Sequence, residues 1–121
     1  MEHTLEVFFG DAVIFSSNKK WLHPLFDFED FLKMNVYKPS ELKVYDKIVG
    51  IASAVLLVRL GILHVRAGTL SKGGKTLFDT HNVEYTYELL VERIACRTEE
   101  MLVEENNVEK AYKILRKQAT L

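Results

Sequence analysis

The sequence predicts one α/β domain in which helices cover a mixed β-sheet, and three observations lead to this fold class. Of the 121 residues, 48% are hydrophobic and 27% are charged, as in a packed globular domain. Two short apolar runs flank Gly10-Asp11 near the start, a pattern typical of a β-hairpin. Farther along, a strand, a helix and a strand follow one another, which gives a right-handed crossover between parallel strands. A chain of this length suits a single domain over residues 1–121.

One predicted helix, Asp46–Leu60, is apolar nearly all round. Such a helix must be covered on several sides, so we expect it at the centre of the fold. Asp46 would lie at its positive N-terminal end, and Gly61 would end it. The other predicted strands are Leu5–Phe9, Ala12–Phe15, Ile62–Ala67 and Val83–Tyr85. The other predicted helices are one that follows Pro24, Thr69–Asp79, Glu99–Glu105 and Val108–Gln118. The segment Tyr85–Ile94 could form either a strand or a helix.

Charge and hydropathy argue against two classes of partner. Sixteen basic and seventeen acidic residues give a net charge of −1, and acidic residues lie near the short basic groups Lys19-Lys20 and Lys113–Lys117. We therefore expect no nucleic-acid partner. The most apolar stretch, Ile48–Leu63, includes Arg59 and is shorter than the ~20 apolar residues of a membrane-spanning helix. We therefore expect no membrane partner.

Cysteine usage and the N-terminus predict a cytoplasmic protein. Cys96 is the one cysteine, so no internal disulfide can form, whereas small secreted domains usually depend on several. The first residues, Met1–Thr4, lack the basic and apolar regions of a signal peptide.

A glycine-rich segment, Gly68–Thr76, follows a predicted strand as a phosphate-binding P-loop would. The P-loop motif has four residues between its first glycine and Gly-Lys-Thr, but five separate Gly68 from Gly74. We therefore expect a flexible glycine turn. No histidine has a partner at the spacing of metal ligands, and His64 is expected to be a half-buried structural residue in a strand.

Two interpretations of Cys96 stay open. The residue lies at the predicted start of a helix, where amide dipoles together with Arg93 and Arg97 would stabilise a thiolate. Alternatively, it is a small apolar side chain in the core.

The segment Val44–Ala54 resembles a helix of a small uncharacterised prokaryotic family, a domain of unknown function whose fold is like that of cytidine deaminases. Glu92-Arg93, followed by Cys96–Glu99, is similar to a second segment of that family, and His23–Leu25 is similar to its N-terminal region. The resemblance covers nearly the whole chain. It implies a three-layer α/β/α sandwich with a mixed sheet.

The resemblance also bears on zinc chemistry. Working deaminases use His-x-Glu and Pro-Cys-x-x-Cys segments, whose His and Cys residues hold zinc while the Glu moves a proton. In this sequence, Asp46–Ile48 corresponds to the His-x-Glu segment and Ala95–Glu99 to the Pro-Cys-x-x-Cys segment. The proton-transferring Glu and one of the two cysteines are therefore missing. The resemblance therefore implies a fold without zinc-dependent deaminase activity, and we expect no cofactor.

The sequence leaves open whether the protein is an enzyme. It could bind a small molecule or nucleotide without chemistry at a cleft between Asp46 and Cys96, use Cys96 as the nucleophile of an unknown reaction, or form an oligomer or partner interface. Its partners would then be an unidentified small molecule and further copies of the chain. The candidate catalytic residues are Asp46, Lys47, Cys96 and Glu99, the candidate binding residues are Gly50, Arg93 and Arg97, and no metal ligand is expected.

Overall fold

The computed structural model describes residues 3–94 and 107–119, which form a mixed β-sheet with four helices. The predicted α/β class and mixed sheet are confirmed. The strands are β1 (Leu5–Phe9), β2 (Ala12–Ser17), β3 (Lys43–Val49), β4 (His64–Ser71) and β5 (Glu84–Val91). The helices are α1 (His23–Lys33), α2 (Ile51–Arg59), α3 (Lys72–Thr80) and α4 (Val108–Ala119), and Pro39–Glu41 forms a short 3₁₀ helix.

The sheet has the order β2-β1-β3-β4-β5, so β3 is its central strand. The predicted hairpin is present, with β1 antiparallel to β2, and β1 is also antiparallel to β3. Strands β3, β4 and β5 are parallel. The strand direction therefore changes between β1 and β3.

Helix α2 lies at the centre of the fold, as the sequence predicts. Ala54, Val55 and Leu57 are at most 1% exposed, and α2 contacts β3, α3 and α4. In the described part of the chain, no helix is long and apolar enough to cross a membrane.

The prediction that a helix begins at Asp46 is wrong, because residues 43–49 form β3 and α2 begins at Ile51. Within β3, Val44 and Asp46 are buried on one face, whereas Lys47 is exposed. The apolar residues of the strand end and of the helix are separated only by Gly50, and such a continuous run hides the change of period. Asp46 is therefore a strand residue and not a helix-terminal one.

The glycine-rich segment is not a flexible turn. It forms the end of β4 and the start of α3, where the Ser71 side chain accepts a hydrogen bond from the Gly74 amide at 3.0 Å. A Cβ atom on Gly68 would lie 2.5 Å from the Lys47 carbonyl oxygen, and one on Gly74 would lie 3.2 Å from that of Gly50. These glycines allow close contact between β3 and β4 and between α2 and α3.

Strand β5 spans the region left open between strand and helix. Because β5 pairs with β4, and Tyr85 packs on Phe78 of α3 with ring centroids 5.7 Å apart, tertiary contacts decide for the strand. His64 is the first residue of β4 and is half-buried, as expected, and its Nδ1 lies 2.9 Å from a carboxylate oxygen of Glu84.

The described residues show the layers that cover the sheet only in part. The face of the sheet opposite the buried core carries exposed charged side chains, among them Lys43, Arg66 and Glu88. The helix predicted over Glu99–Glu105 lies outside the described residues. The third layer of the α/β/α sandwich therefore stays a prediction.

A buried carboxylate joins three of the helices. Glu29 of α1 is 6% exposed and accepts hydrogen bonds from Arg59 of α2 at 2.8 Å, and from Tyr112 and Arg116 of α4 at 2.9 and 3.1 Å. The Arg59 guanidinium lies 3.6 Å from the centroid of the Tyr112 ring. A buried charge with such partners is compensated, and removal of one partner leaves the others without compensation.

We expect Glu29→Ala to lower the free energy of unfolding by about 2–3 kcal/mol. This is less than the ~3–5 kcal/mol typical of a fully buried pair, because Arg59 and Arg116 are 29% and 36% exposed and regain some hydration. The matched control is Asp30→Ala, which removes an exposed carboxylate 3.9 Å from Arg116. Urea titration of both variants checks the prediction, and equal losses of stability would contradict it.

Candidate functional site

A pocket of about 430 Å³ lies at the carboxyl end of β3. The end of the β1–β2 hairpin and the start of α1 form one wall, through Trp21, Leu22 and Leu25. The end of β3 and the first turn of α2 form the other wall. Most of the lining side chains are apolar, so a ligand would lose much of its contact with water here.

The carboxyl group of Asp46 is the one acidic group among the described lining residues. Asp46 is only 9% exposed, and its side chain accepts a hydrogen bond from the backbone amide of Ile48. Burial disfavours the ionised form and raises the pKa of Asp46 to about 7, while the Ile48 amide acts in the opposite direction. Asp46 can therefore act as a hydrogen-bond donor near neutral pH.

Ser53 brings a second buried polar group to the pocket. It lies in the first turn of α2, is 7% exposed and lines the pocket. Its hydroxyl has no hydrogen-bond partner among the described residues. Gly50, the N-cap residue of α2, adds no side chain, and the aligned peptide dipoles give this end of the helix a partial positive charge.

Three lysines line the same pocket. Lys19 is paired with Asp27 at 2.7 Å, whereas Lys20 and Lys47 have no ion pair within residues 3–94 and 107–119. The charged groups of the described lining therefore favour a negative charge in the pocket.

Hydrogen bonds hold the wall that follows the hairpin. The Thr4 hydroxyl lies 2.9 Å from the carbonyl oxygen of Ser17 and 2.8 Å from that of Lys19, and its single O–H hydrogen is shared between these two acceptors. The Thr4 carbonyl accepts from the Lys47 amide at 3.0 Å, which ties this segment to β3. Trp21 has a φ of 58°, in the left-handed region that is costly for a side chain of this size, and its ring meets the His23 ring edge-on at 5.2 Å.

Of the predicted site residues, Asp46, Lys47 and Gly50 line this one pocket. Arg93 is exposed and does not line it, although the next residue, Ile94, does. The remaining predicted residues, Cys96, Arg97 and Glu99, lie outside the described residues.

Thr4, Trp21 and Ser53 also line the pocket, although none of them was predicted as a site residue. Ser53 carried a usable signal, because it is the one hydroxyl-bearing residue in the apolar helix Ile51–Arg59. Trp21 is the only tryptophan of the chain. Thr4 carried none, since its role depends on the pairing of β1 with β3.

Within the described residues, no group of three or more His, Cys, Asp and Glu side chains could hold a metal ion. A second hollow of about 460 Å³ lies near the other end of the parallel strands and is lined by Lys43, His64 and Glu84, among others. In its lining, His64 Nδ1 lies 2.9 Å from a carboxylate oxygen of Glu84.

Comparisons with known proteins place the chain in a family. The sequence model of a domain of unknown function, DUF1893, matches residues 2–119, so the chain belongs to the DUF1893 family. The crystal structure of a DUF1893 family protein from Thermotoga maritima is similar to this fold with a TM-score of 0.85, at 22% sequence identity, over 96% of this chain and 80% of that one. No curated protein matches the chain.

We expect the stability of the protein to fall between pH 5 and pH 8 because of Asp46. The carboxyl ionises near 3.8 in the unfolded chain and near 7 in the folded one, so the folded state binds more protons across this window. Stability therefore falls as pH rises from about 4 to 7 and levels off above. The contribution is about 3 kcal/mol between pH 5 and pH 8.

Asp46→Asn removes this contribution, so the variant should be more stable than the native protein at pH 8. Asp79→Asn is the matched control, because Asp79 is exposed and its pKa is held below the ordinary value by hydrogen bonds from Tyr85 and Lys75. Urea titrations at pH 5, 6, 7 and 8 measure the effect. Parallel pH profiles for the native protein and Asp46→Asn would show that the prediction is wrong.

Proposed function

We propose that this DUF1893 protein binds a small organic molecule, with nucleosides and nucleotides as the first class to test, in the pocket at the carboxyl end of β3. The observation that carries the proposal is an apolar pocket of about 430 Å³ with two buried polar groups, Asp46 and Ser53, in its lining. Ligand sites in proteins have volumes of ~300–1,000 Å³ and combine apolar walls with a few convergent polar groups.

The position of the pocket in the sheet supports this proposal. In open α/β sheets, ligands bind in the crevice outside the carboxyl ends of the parallel strands. The pocket lies at the carboxyl end of β3, the strand that pairs with β4 in parallel and with β1 in the antiparallel direction.

The polar groups of the pocket also support binding. A neutral carboxyl group offers one O–H donor together with acceptor oxygens, and a serine hydroxyl offers both functions. Burial of both groups in a folded protein is costly unless something pairs with them. A ligand with polar atoms facing Asp46 and Ser53 would supply those partners.

Binding is favoured here over zinc-dependent deamination. A deaminase site holds zinc with three His or Cys side chains, whereas the chain has one cysteine, and no described lining residue is His or Cys. Two of the histidines, His23 and His64, contact Trp21 and Glu84 instead. The deaminase-like character of the fold thus enters the proposal only as a resemblance.

Thermal-shift measurements with the four common ribonucleosides and their 5′-monophosphates test the proposal. A ligand at 100 times its Kd stabilises the folded state by about 2.7 kcal/mol, which raises Tm by several degrees. We expect at least one of these compounds to do so in the native protein.

Ile48→Trp should abolish that shift, because the indole would fill part of the pocket. Ile48 is 51% exposed, so the substitution should leave the Tm without ligand nearly unchanged. Leu89→Trp is the matched control, since Leu89 is 56% exposed on β5 and does not line the pocket. If no compound shifts the native protein, or if Ile48→Trp responds as the native protein does, the proposal is contradicted.

A further inference from the structure

We propose that the ligand of this pocket is an acid, with an anionic group at the N-terminal turn of α2 and an apolar body against the walls. This inference rests on the proposed function and names its ligand class. The shared chemistry is one strongly acidic group on an apolar or ring-containing molecule. Both an organic acid and the phosphate of a nucleotide satisfy it.

The charges around the pocket favour an anion. Lys20 and Lys47 line it without an ion pair in the described part of the chain, whereas Lys19 is already neutralised by Asp27. Two unpaired cations beside an apolar cavity raise the local concentration of anions and stabilise a bound one.

The start of α2 provides a place for the anionic group. Peptide dipoles leave a partial positive charge at this helix end, where Gly50 lets a ligand approach the backbone closely. Ser53, in the first turn of the helix, is only 7% exposed and has no hydrogen-bond partner in residues 3–94 and 107–119. An oxyanion would accept the hydrogen bond that this hydroxyl can donate.

Asp46 does not oppose an anion near neutral pH. It is buried in the same lining, and a carboxylate there would repel the ligand. Its neutral form instead donates an O–H group to an acceptor. Anion binding should therefore favour the protonated form of Asp46 and draw a proton from solution above pH 7.

Two pairs of compounds test the charge preference, each with an anion and its neutral counterpart: benzenesulfonate with benzenesulfonamide, and adenosine 5′-monophosphate with adenosine. Isothermal titration calorimetry on the native protein should show at least tenfold tighter binding of the anion in one or both pairs. Lys47→Gln should weaken anion binding about fivefold, and Ser53→Ala about tenfold, with little effect on the neutral compounds. Lys43→Gln, on the same strand but in the second hollow, is the matched control.

The outcomes separate the two sources of the anion. A preference confined to benzenesulfonate indicates an organic acid, and one confined to the nucleotide pair indicates a phosphate ester. Equal affinities within both pairs would overturn the inference. If the compounds bound with equal affinity and Ile48→Trp abolished their binding, the proposed function would stand without the charge preference. A preference that neither Lys47→Gln nor Ser53→Ala reduces would also overturn the inference, and no binding of any compound would contradict both proposals.

The pH dependence gives an independent readout with benzenesulfonate, which does not titrate between pH 6 and pH 8. Its affinity should fall by up to tenfold per pH unit as pH rises above 7, and Asp46→Asn should abolish this slope. Besides Asp46, the charged groups in the described lining are Lys19, Lys20 and Lys47. His23, beside Trp21 at the rim, is checked with His23→Gln, and an unchanged slope in Asp46→Asn would overturn the inference.

Discussion

The hydrogen-bonded carboxylate of Glu29 ties three of the four helices of the described fold together. It holds α1, α2 and α4 through Arg59, Tyr112 and Arg116, and the rings of Tyr112 and Phe26 cover the two guanidinium groups. Helices α1 and α2 in turn supply opposite walls of the pocket. The separation of those walls, and thus the volume available to a ligand, depends on a charge cluster that itself lies outside the pocket.

Two buried acidic side chains therefore have opposite roles in one small domain. Glu29 is surrounded by cations and hydroxyl donors, so its burial is compensated within the chain. Asp46 has a single backbone donor among its described partners, and its burial is relieved by protonation instead. A compensated charge stabilises the fold, whereas an uncompensated one costs stability and leaves a group that a ligand can pair with. This contrast is the physical reason to look for function at Asp46 and not at Glu29.

The fold class was predictable because periodic apolar segments specify strands and helices locally, as in the hairpin, in α1 and in α4. Boundaries failed where two apolar elements adjoin, since the change from β3 to α2 leaves no polar residue to mark it. The prediction of a flexible turn at the glycines of β4 and α3 failed for another reason. Their requirement comes from the Lys47 and Gly50 carbonyls, which lie far away in sequence. For the site, Asp46, Lys47 and Gly50 were accessible from the sequence, whereas Thr4 and Trp21 enter the pocket only through strand pairing.

Glu29 and its partners in α4 lie far apart in the sequence, and this distance bears on how the molecule folds. Each parallel strand pair joins positions about 20 residues apart, such as Lys43 with His64 and His64 with Glu84. Tyr112 and Arg116 instead meet Glu29 from 83 and 87 residues away. Contacts between distant residues repay their loop-closure entropy only after nearer ones have formed, so the sheet should assemble before α4 docks. The Glu29 cluster, which joins the two helices that line the pocket, would then be completed only after the strands have paired.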